Sequence, residues 1–172
     1  MKKIWVIPLI ALLFAGCGKQ PTMETITDVQ DTPVVSTVQR IQVQLPPELS
    51  APALQGEGGT LYLCDDYSVT VQTVEAGDLQ RTIRNTTGME KEHLQILQTK
   101  QGDTKRYQWV WSTTGENGAQ VGRGCILDDG AYHYVLTALV DEGKTEKVQA
   151  QWKEMFASFT LATEREEVSS GS

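Results

Sequence analysis

The sequence predicts an α+β domain in which a meander of antiparallel β-strands is covered by helices. Apolar and polar residues alternate in several segments between residues 38 and 162, which is typical of half-buried strands. Turn residues such as Asp, Asn and Gly separate these segments and favour antiparallel hairpins. The last apolar segment instead has the spacing of a long amphipathic helix, with a stripe made of Val148, Trp152, Met155, Phe156 and Phe159.

The composition favours one globular domain and argues against nucleic acid as a partner. The chain has 172 residues, of which 40% are hydrophobic and 22% are charged, close to the globular average. Its net charge of −7 argues against nucleic acid, because phosphates need a basic face. Three cysteines and two histidines offer little for a metal cluster, and no cofactor is predicted.

The N-terminus has the pattern of an export signal. Lys2 and Lys3 precede an apolar run over residues 4–14, which covers about 16 Å and is too short to span a bilayer. The run ends in Ala15-Gly16-Cys17, which resembles the lipobox of bacterial lipoproteins. The resemblance implies a signal peptide over residues 1–16 and a diacylglyceryl group on Cys17. The alternative is an ordinary signal peptide, cleaved or retained, with an incidental cysteine.

Two polar segments flank the predicted domain. Residues 17–37 are rich in Thr, Gln, Asp and Pro and are predicted to form a flexible tether that begins at the lipidated Cys17. Residues 163–172 are predicted to form a disordered tail. The domain over 38–162 would then be held at the extracytoplasmic face of the cell membrane. Its acidic surface is repelled by anionic lipid, so the lipid anchor is the expected membrane contact.

The elements of the domain follow from local patterns. Asp78 predicts the N-cap of a short helix that Gly88 ends. A loop rich in Pro and Gly is predicted over 50–60, and the final helix begins near Thr145, where Thr145 or Asp141 can serve its free amides. Strands are predicted over residues 41–45, 61–64, 68–74, 94–97, 106–113, 119–127 and 131–140.

The end of the domain resembles the PsbP/Mog1-like proteins. The strand that starts at Tyr132, the apolar helix after it and the ending WKEMFASFTL over 152–161 match the closing elements of that family. The upstream order of elements agrees, so the resemblance covers about residues 38–162. It implies an antiparallel sheet covered by helices. The family includes photosystem assembly subunits, a Ran-binding protein and many bacterial lipoproteins of unassigned role, so it implies no catalytic residues.

Two sets of candidate residues each have two interpretations. Cys64 and Cys125 lie on separate predicted strands of an exported domain, where a disulfide could stabilise the fold by about 4 kcal/mol. The alternative is two separate buried thiols. Tyr107, Trp109 and Trp111 share one strand face and could bind a glycan or peptide as an exposed aromatic surface. The alternative is that they belong to the core of the sheet.

Acidic residues at two predicted turns are the remaining candidates. Asp65-Asp66 and Asp128-Asp129 could hold Ca²⁺, although they lack the spacing of an EF-hand, and Asp is also a common turn former. No other metal site is predicted, because His93 and His133 have no partner at metal or triad spacing.

Two classes of function remain. The favoured one is a non-enzymatic, membrane-anchored module that binds or assembles a protein or small ligand, since no catalytic constellation is present. The alternative is a cell-envelope hydrolase whose acid–base pair comes from distant acidic turns, such as Asp66 and Asp128.

Overall fold

The computed structural model describes residues 37–116 and 118–162. The predictions for the signal peptide, for Cys17, for most of the tether and for the tail therefore lie outside the described residues. Within these ranges, none of the helices combines the length and the apolar character that crossing a bilayer requires.

Most of the domain is one antiparallel sheet of seven strands in the order β2-β3-β4-β8-β7-β6-β5. A second sheet pairs β1 with β9. The strands are β1 (Ile41–Gln42), β2 (Leu54–Gly56), β3 (Gly59–Leu63), β4 (Tyr67–Glu75), β5 (Leu97–Gln101), β6 (Thr104–Gly115), β7 (Gly118–Asp128), β8 (Tyr132–Asp141) and β9 (Thr160–Leu161).

The α+β class and the antiparallel sheet are confirmed, but the strands do not form one continuous meander. One hairpin series runs from β2 to β4 and another from β5 to β8, and β4 pairs with β8. The connection over residues 76–96 contains a helix and carries the chain from β4 to the far edge of the sheet. Long hairpins therefore form locally, whereas the pairing of β4 with β8 is a long-range contact.

Three predicted segments differ from the structure. The strand predicted over 41–45 is only the short β1, which pairs with β9 outside the main sheet. The predicted loop over 50–60 contains β2 and the start of β3, joined through a turn at Glu57 and Gly58. The strand predicted over 94–97 begins at Leu97, because β5 is placed by its hairpin with β6. In each case pairing across the sheet decides the limits of the strand.

One helix covers each face of the main sheet. The helix α1 (Leu79–Thr87) has the predicted caps: Asp78 accepts a hydrogen bond from the Gln80 N–H, and Gly88 is left-handed with φ of 73°. The face beneath it, called the α1 face, has a buried cluster made of Ile83, Tyr107, Trp109, Trp111, Ile126 and Val135.

The helix α2 (Thr145–Ser158) lies on the opposite face, called the α2 face. It buries Val148, Trp152, Met155 and Phe156 against this face, and Phe159 follows the helix into the same cluster. Among the described residues no side chain caps its N-terminus, so the predicted role of Thr145 or Asp141 there is wrong. At its C-terminus, the Arg106 guanidinium donates hydrogen bonds to the carbonyl oxygens of Phe156 and Phe159. Strand β6 therefore holds the end of α2 on the sheet.

Candidate functional site

A cavity of about 710 Å³ lies at the edge of the sheet beside β6. Met89 and Leu94 line it and pack with the cluster on the α1 face, whereas Trp152 lines it from the α2 face. Val110 of β6, with 60% of its surface exposed, lies between these two groups. Since its walls come from both faces, the cavity wraps around the edge of the sheet.

This edge is bare along half of β6. Strand β5 pairs with β6 only from Thr104 to Gln108, and on this side of β6 no other described strand pairs with the residues from Trp109 to Gly115. The stretch is about 20 Å long at the rise of an extended chain. The cavity is therefore bordered by backbone as well as by side chains.

The register shows which backbone groups are available at this edge. In an antiparallel ladder, successive residues direct their N–H and C=O groups alternately to either side. The two-residue turns after Gln101 and Gly115 direct the odd residues of β6 towards β7 and the even residues towards β5. Beyond Gln108, the N–H and C=O groups of Val110, Ser112 and Thr114 therefore face the bare edge.

A cation without a carboxylate partner lies in this cavity. Arg123 pairs with Val110 in the sheet, and its guanidinium carbon is 4.6 Å from the ring centroid of Phe156. Its guanidinium makes no ion pair or hydrogen bond with other described residues. Burial lowers the pKa of Arg123, but a guanidinium stays charged at neutral pH. None of the described residues that line the cavity is Asp or Glu, so this lining is basic in a protein of net charge −7.

Two indole N–H groups bordering the cavity have no acceptor among the described residues. They are Nε1 of Trp109 and Nε1 of Trp152, and both are buried. Trp152 is only 5% exposed and lies on the same face as Arg123. A buried donor without an acceptor costs about 1–3 kcal/mol. Since both nitrogens are buried, the polar group that the α2 side of the cavity offers to a ligand is the positively charged guanidinium of Arg123.

The three aromatic residues predicted from the strand pattern belong to the core. Tyr107, Trp109 and Trp111 are at most 8% exposed and pack with Ile83 and Ile126. The prediction of an exposed aromatic surface is therefore wrong, and the three residues belong to the core of the sheet, as the alternative stated. Trp109 and Trp111 nevertheless border the cavity.

The structure also decides between the alternatives for the two cysteines. Cys64 follows β3 and Cys125 lies on β7, and both are free thiols. Strands β4 and β8 lie between them, so at least about 14 Å separates positions that a disulfide needs within about 7 Å. Cys125 is fully buried, and burial raises its pKa to about 11, so this thiol stays protonated and unreactive.

The predicted acidic turns lie at opposite ends of the sheet. Asp66 precedes Tyr67, which pairs with Val140, whereas Asp128 pairs with His133 at the other end of β8. About 20 Å of strand separates the two ends, far more than a pair of catalytic carboxylates allows. Asp66 and Asp128 therefore do not form the acid–base pair that the hydrolase alternative requires.

The side chains of these four aspartates contact other parts of the protein or solvent. Asp66 forms ion pairs with Lys144 and Lys147, with distances of 3.5 and 2.5 Å, and Asp65 is exposed. The described residues contain no group of three or more His, Cys, Asp or Glu that could hold a metal. Asp128 accepts a hydrogen bond from the Gly130 N–H, so it is a turn-forming residue, as the alternative interpretation stated.

Neither histidine belongs to a catalytic arrangement. His93 is exposed and lines the cavity. His133 is only 2% exposed, and its Nδ1 lies 2.8 Å from Oγ1 of Thr82. Burial lowers the pKa of His133, which keeps this imidazole neutral at pH 7.

Asp129 connects the start of the domain to the turn between β7 and β8. Its carboxylate accepts hydrogen bonds from the N–H groups of Ala131 and Tyr132 at 2.9 and 2.7 Å, and from the Tyr134 hydroxyl at 2.8 Å. It also accepts one at 3.0 Å from the side-chain amide of Gln39. Burial raises the pKa of Asp129, but these hydrogen bonds outweigh it, so the pKa lies below its ordinary value.

Asp129→Asn is expected to lower the free energy of unfolding at pH 7 by about 1–3 kcal/mol, because charge-assisted hydrogen bonds are lost. Since the pKa of the folded state is depressed, this stabilisation is present above the unfolded pKa of about 3.9 and is lost as the pH falls through the folded value. Urea unfolding at pH 7 and pH 2.5 measures the effect. The exposed Asp103→Asn is the control, and an Asp129→Asn effect of equal size at both pH values would contradict the assignment.

Sequence reasoning missed Arg123 and the bare edge of β6. The sequence contains one signal for Arg123. Its position shares a predicted strand face with Val121 and Cys125, where the alternation leads to the expectation of an apolar residue. The bare edge has no local signal, since it depends on where β5 ends beside β6.

No known protein family and no curated protein matches the sequence. Among solved structures, the fold is similar to that of LpqN from Mycobacterium tuberculosis, which is described as involved in cell envelope biogenesis. The TM-score is 0.50, with 11% identity over 73% of this chain and 85% of LpqN. A protein of Bacteroides thetaiotaomicron gives a TM-score of 0.49 and 14% identity over 72% of this chain. This chain spans 46% of its length.

Cyanobacterial PsbP from Synechocystis gives a TM-score of 0.47, with 8% identity over 75% of this chain and 96% of that protein. At 11% identity, the similarity to LpqN concerns the fold alone, since one fold carries many functions. The chain therefore has an α+β fold with an antiparallel sheet that a protein of cell envelope biogenesis shares.

Proposed function

We propose that the chain is a lipid-anchored extracytoplasmic module that binds a partner protein and performs no catalysis of its own. The observation that carries this proposal is the cavity at the edge of β6. There, unpaired backbone groups, apolar side chains and the cation of Arg123 are available to one partner. Sites that combine apolar surface with a few placed polar groups are typical of binding.

The anchoring part of the proposal rests on the lipobox at Cys17 and on the predicted tether. The involvement of LpqN in cell envelope biogenesis supports an envelope location for a chain of similar fold. We assign the domain to the PsbP/Mog1-like proteins because of the sequence pattern over residues 132–161.

The position of the domain's first residues suits an anchored binding module. Gln39 is held at the turn between β7 and β8 by Asp129 and by the Tyr134 hydroxyl, which accepts a hydrogen bond from the Gln39 N–H. The bare part of β6 extends to Gly115, towards the opposite end of the sheet. Gln39 and the bare part of β6 therefore lie towards opposite ends of the sheet.

Photo-crosslinking in cells tests the binding function. A benzoylphenylalanine at Val110 is expected to give one discrete adduct of higher mass, because this side chain lies in the cavity and is 60% exposed. The same residue at Leu54 is the control, since it is 68% exposed but lies on β2 at the opposite edge of the sheet. Immunoblotting measures the adduct, and mass spectrometry identifies the attached protein.

A matched pair of substitutions makes the experiment specific to the cavity. Ser112 and Gln55 are both exposed, but Ser112 lines the cavity, whereas Gln55 lies on β2 at the opposite edge of the sheet. Ser112→Tyr is expected to reduce the adduct from Val110 by about 10-fold, and Gln55→Tyr to leave it unchanged. No adduct at Val110, or equal adducts at Val110 and Leu54, would overturn the proposed function.

A further inference from the structure

We propose that the partner binds as an extended strand that pairs with β6 between Trp109 and Gly115 and places a carboxylate beside Arg123. This inference rests on the proposed function and specifies the chemistry of the partner at the same site. Strand addition to an exposed sheet edge is a recurrent mode of peptide recognition, in which backbone hydrogen bonds supply affinity and alternate side chains supply specificity.

The edge of β6 lacks the usual protection of an exposed strand. Natural edge strands avoid pairing by being short or by carrying charges, proline or a bulge. The opposite edge follows this rule, because β2 spans only Leu54–Gly56. The bare part of β6 instead runs from Trp109 to Gly115 as VWSTT between these two residues, with no charge, proline or bulge.

The shape of the cavity fits an extended chain. Side chains of a strand point alternately to opposite faces, so a strand added to β6 sends one set to the α1 face and the other to the α2 face. The cavity has a wall for each set, with Met89 and Leu94 on the first face and Gln149 and Trp152 on the second. A compact small ligand would use only one of the two walls.

The charges indicate a carboxylate on the α2 side. An added strand lies about 5 Å beyond β6 and about 10 Å from β7, a gap that the side chain of Arg123 and an acidic side chain can span together. The Arg123 guanidinium has no carboxylate partner in the described chain, and its planar fork suits a carboxylate. An acidic residue of the partner therefore meets a cation on this side of the cavity.

The experiment uses heptapeptides selected from a random display library against the full chain in detergent micelles. The selected peptides are expected to be rich in β-branched residues and to carry at least one Asp or Glu. N-methylation of every second amide is then compared with methylation of the alternate amides by isothermal titration calorimetry. One set is expected to raise the Kd by about 10-fold or more and the other to leave it unchanged, since only one set of amides faces β6.

Two protein variants assign the contacts. Val110→Pro removes one N–H from the bare edge, where proline is tolerated, and is expected to raise the Kd by about 10-fold, whereas Val110→Thr is the control that keeps the N–H. Arg123→Gln tests the contact with the carboxylate, in combination with a peptide in which the acidic residue is replaced by its amide. This replacement is expected to weaken binding to the wild-type protein about 10-fold or more. It is expected to leave binding to the Arg123→Gln variant almost unchanged. Near-ultraviolet circular dichroism confirms that each variant is folded.

Several outcomes would overturn the proposal. The first is that the two methylated sets of peptides change the Kd equally, and the second is that the effects of Arg123→Gln and of the peptide's acidic residue are additive. The third is that no selected peptide depends on the Val110 N–H.

Two further outcomes would assign the edge to another occupant. If the protein forms a dimer that Val110→Pro dissociates, the edge pairs with a second copy. If deleting residues 18–36 or 163–172 raises the affinity for the peptides, a segment of the chain itself occupies the edge. If crosslinking from Val110 succeeds while these tests fail, the proposed function stands and strand addition is wrong.

Discussion

Cys17→Ser is expected to abolish incorporation of labelled fatty acid completely. The resemblance to a lipobox implies that the thiol of Cys17 would carry the diacylglyceryl group, and a hydroxyl does not replace a thiol in this role. Cleavage after Gly16 should fail as well, so the variant should keep its signal and migrate as a longer chain. Growth with labelled palmitate, followed by immunoprecipitation and autoradiography, measures the incorporation.

A matched cysteine variant controls for the loss of any thiol. Cys64→Ser also removes a free thiol, but from the described domain, and should keep full labelling. Membrane fractionation alone is not decisive, because an uncleaved signal would still hold Cys17→Ser at the membrane. Equal labelling of Cys17→Ser and the wild type would show that the lipobox prediction is wrong.

Gly124→Ala is expected to lower the free energy of unfolding by about 3 kcal/mol. A Cβ at this position would lie 2.4 Å from ring atoms of Trp109, whose indole lies over the glycine. Gly122 has the same relation to Trp111, so two neighbouring indoles use the space of two missing side chains. Overpacking a core costs about 1–3 kcal/mol when the neighbours cannot move, and these indoles are buried. Urea denaturation followed by circular dichroism measures the change.

A second glycine and a double variant test the explanation. Gly77→Ala is the control, because a Cβ there meets no atom within 4 Å, and its effect should be within about 0.5 kcal/mol. Combining Gly124→Ala with Trp109→Val should destabilise less than the sum of the two single changes, since the clash disappears with the indole. Additive effects would show that contact with Trp109 is not the cause.

The two glycines show how a sequence feature acquires its meaning from the fold. The Gly-x-Gly at residues 122–124 matches no phosphate-binding loop, and the sequence alone gives it no role. The register of β6 and β7 places Trp111 opposite Gly122 and Trp109 opposite Gly124. The alternation of aromatics in one strand and glycines in the next is therefore one packing feature, and it becomes visible only when the two strands are aligned.

The elements that depend on neighbouring residues were predictable. The caps of α1 at Asp78 and Gly88 are both confirmed. Each rests on interactions within a few residues, such as a side chain that accepts from an amide two positions ahead. Such contacts need no knowledge of the rest of the chain.

The order of the strands and the candidate site were decided only by the tertiary structure. The pairing of β4 with β8 separates Cys64 from Cys125 and keeps the two acidic turns apart, which a strand pattern cannot indicate. The cavity exists because β5 ends beside Gln108 while β6 continues to Gly115. The sequence by itself determined the class of the fold and the caps of α1, since these depend on local chemistry, and it predicts an export signal. The site depends on contacts between segments far apart in the chain, and only the folded sheet brings them together.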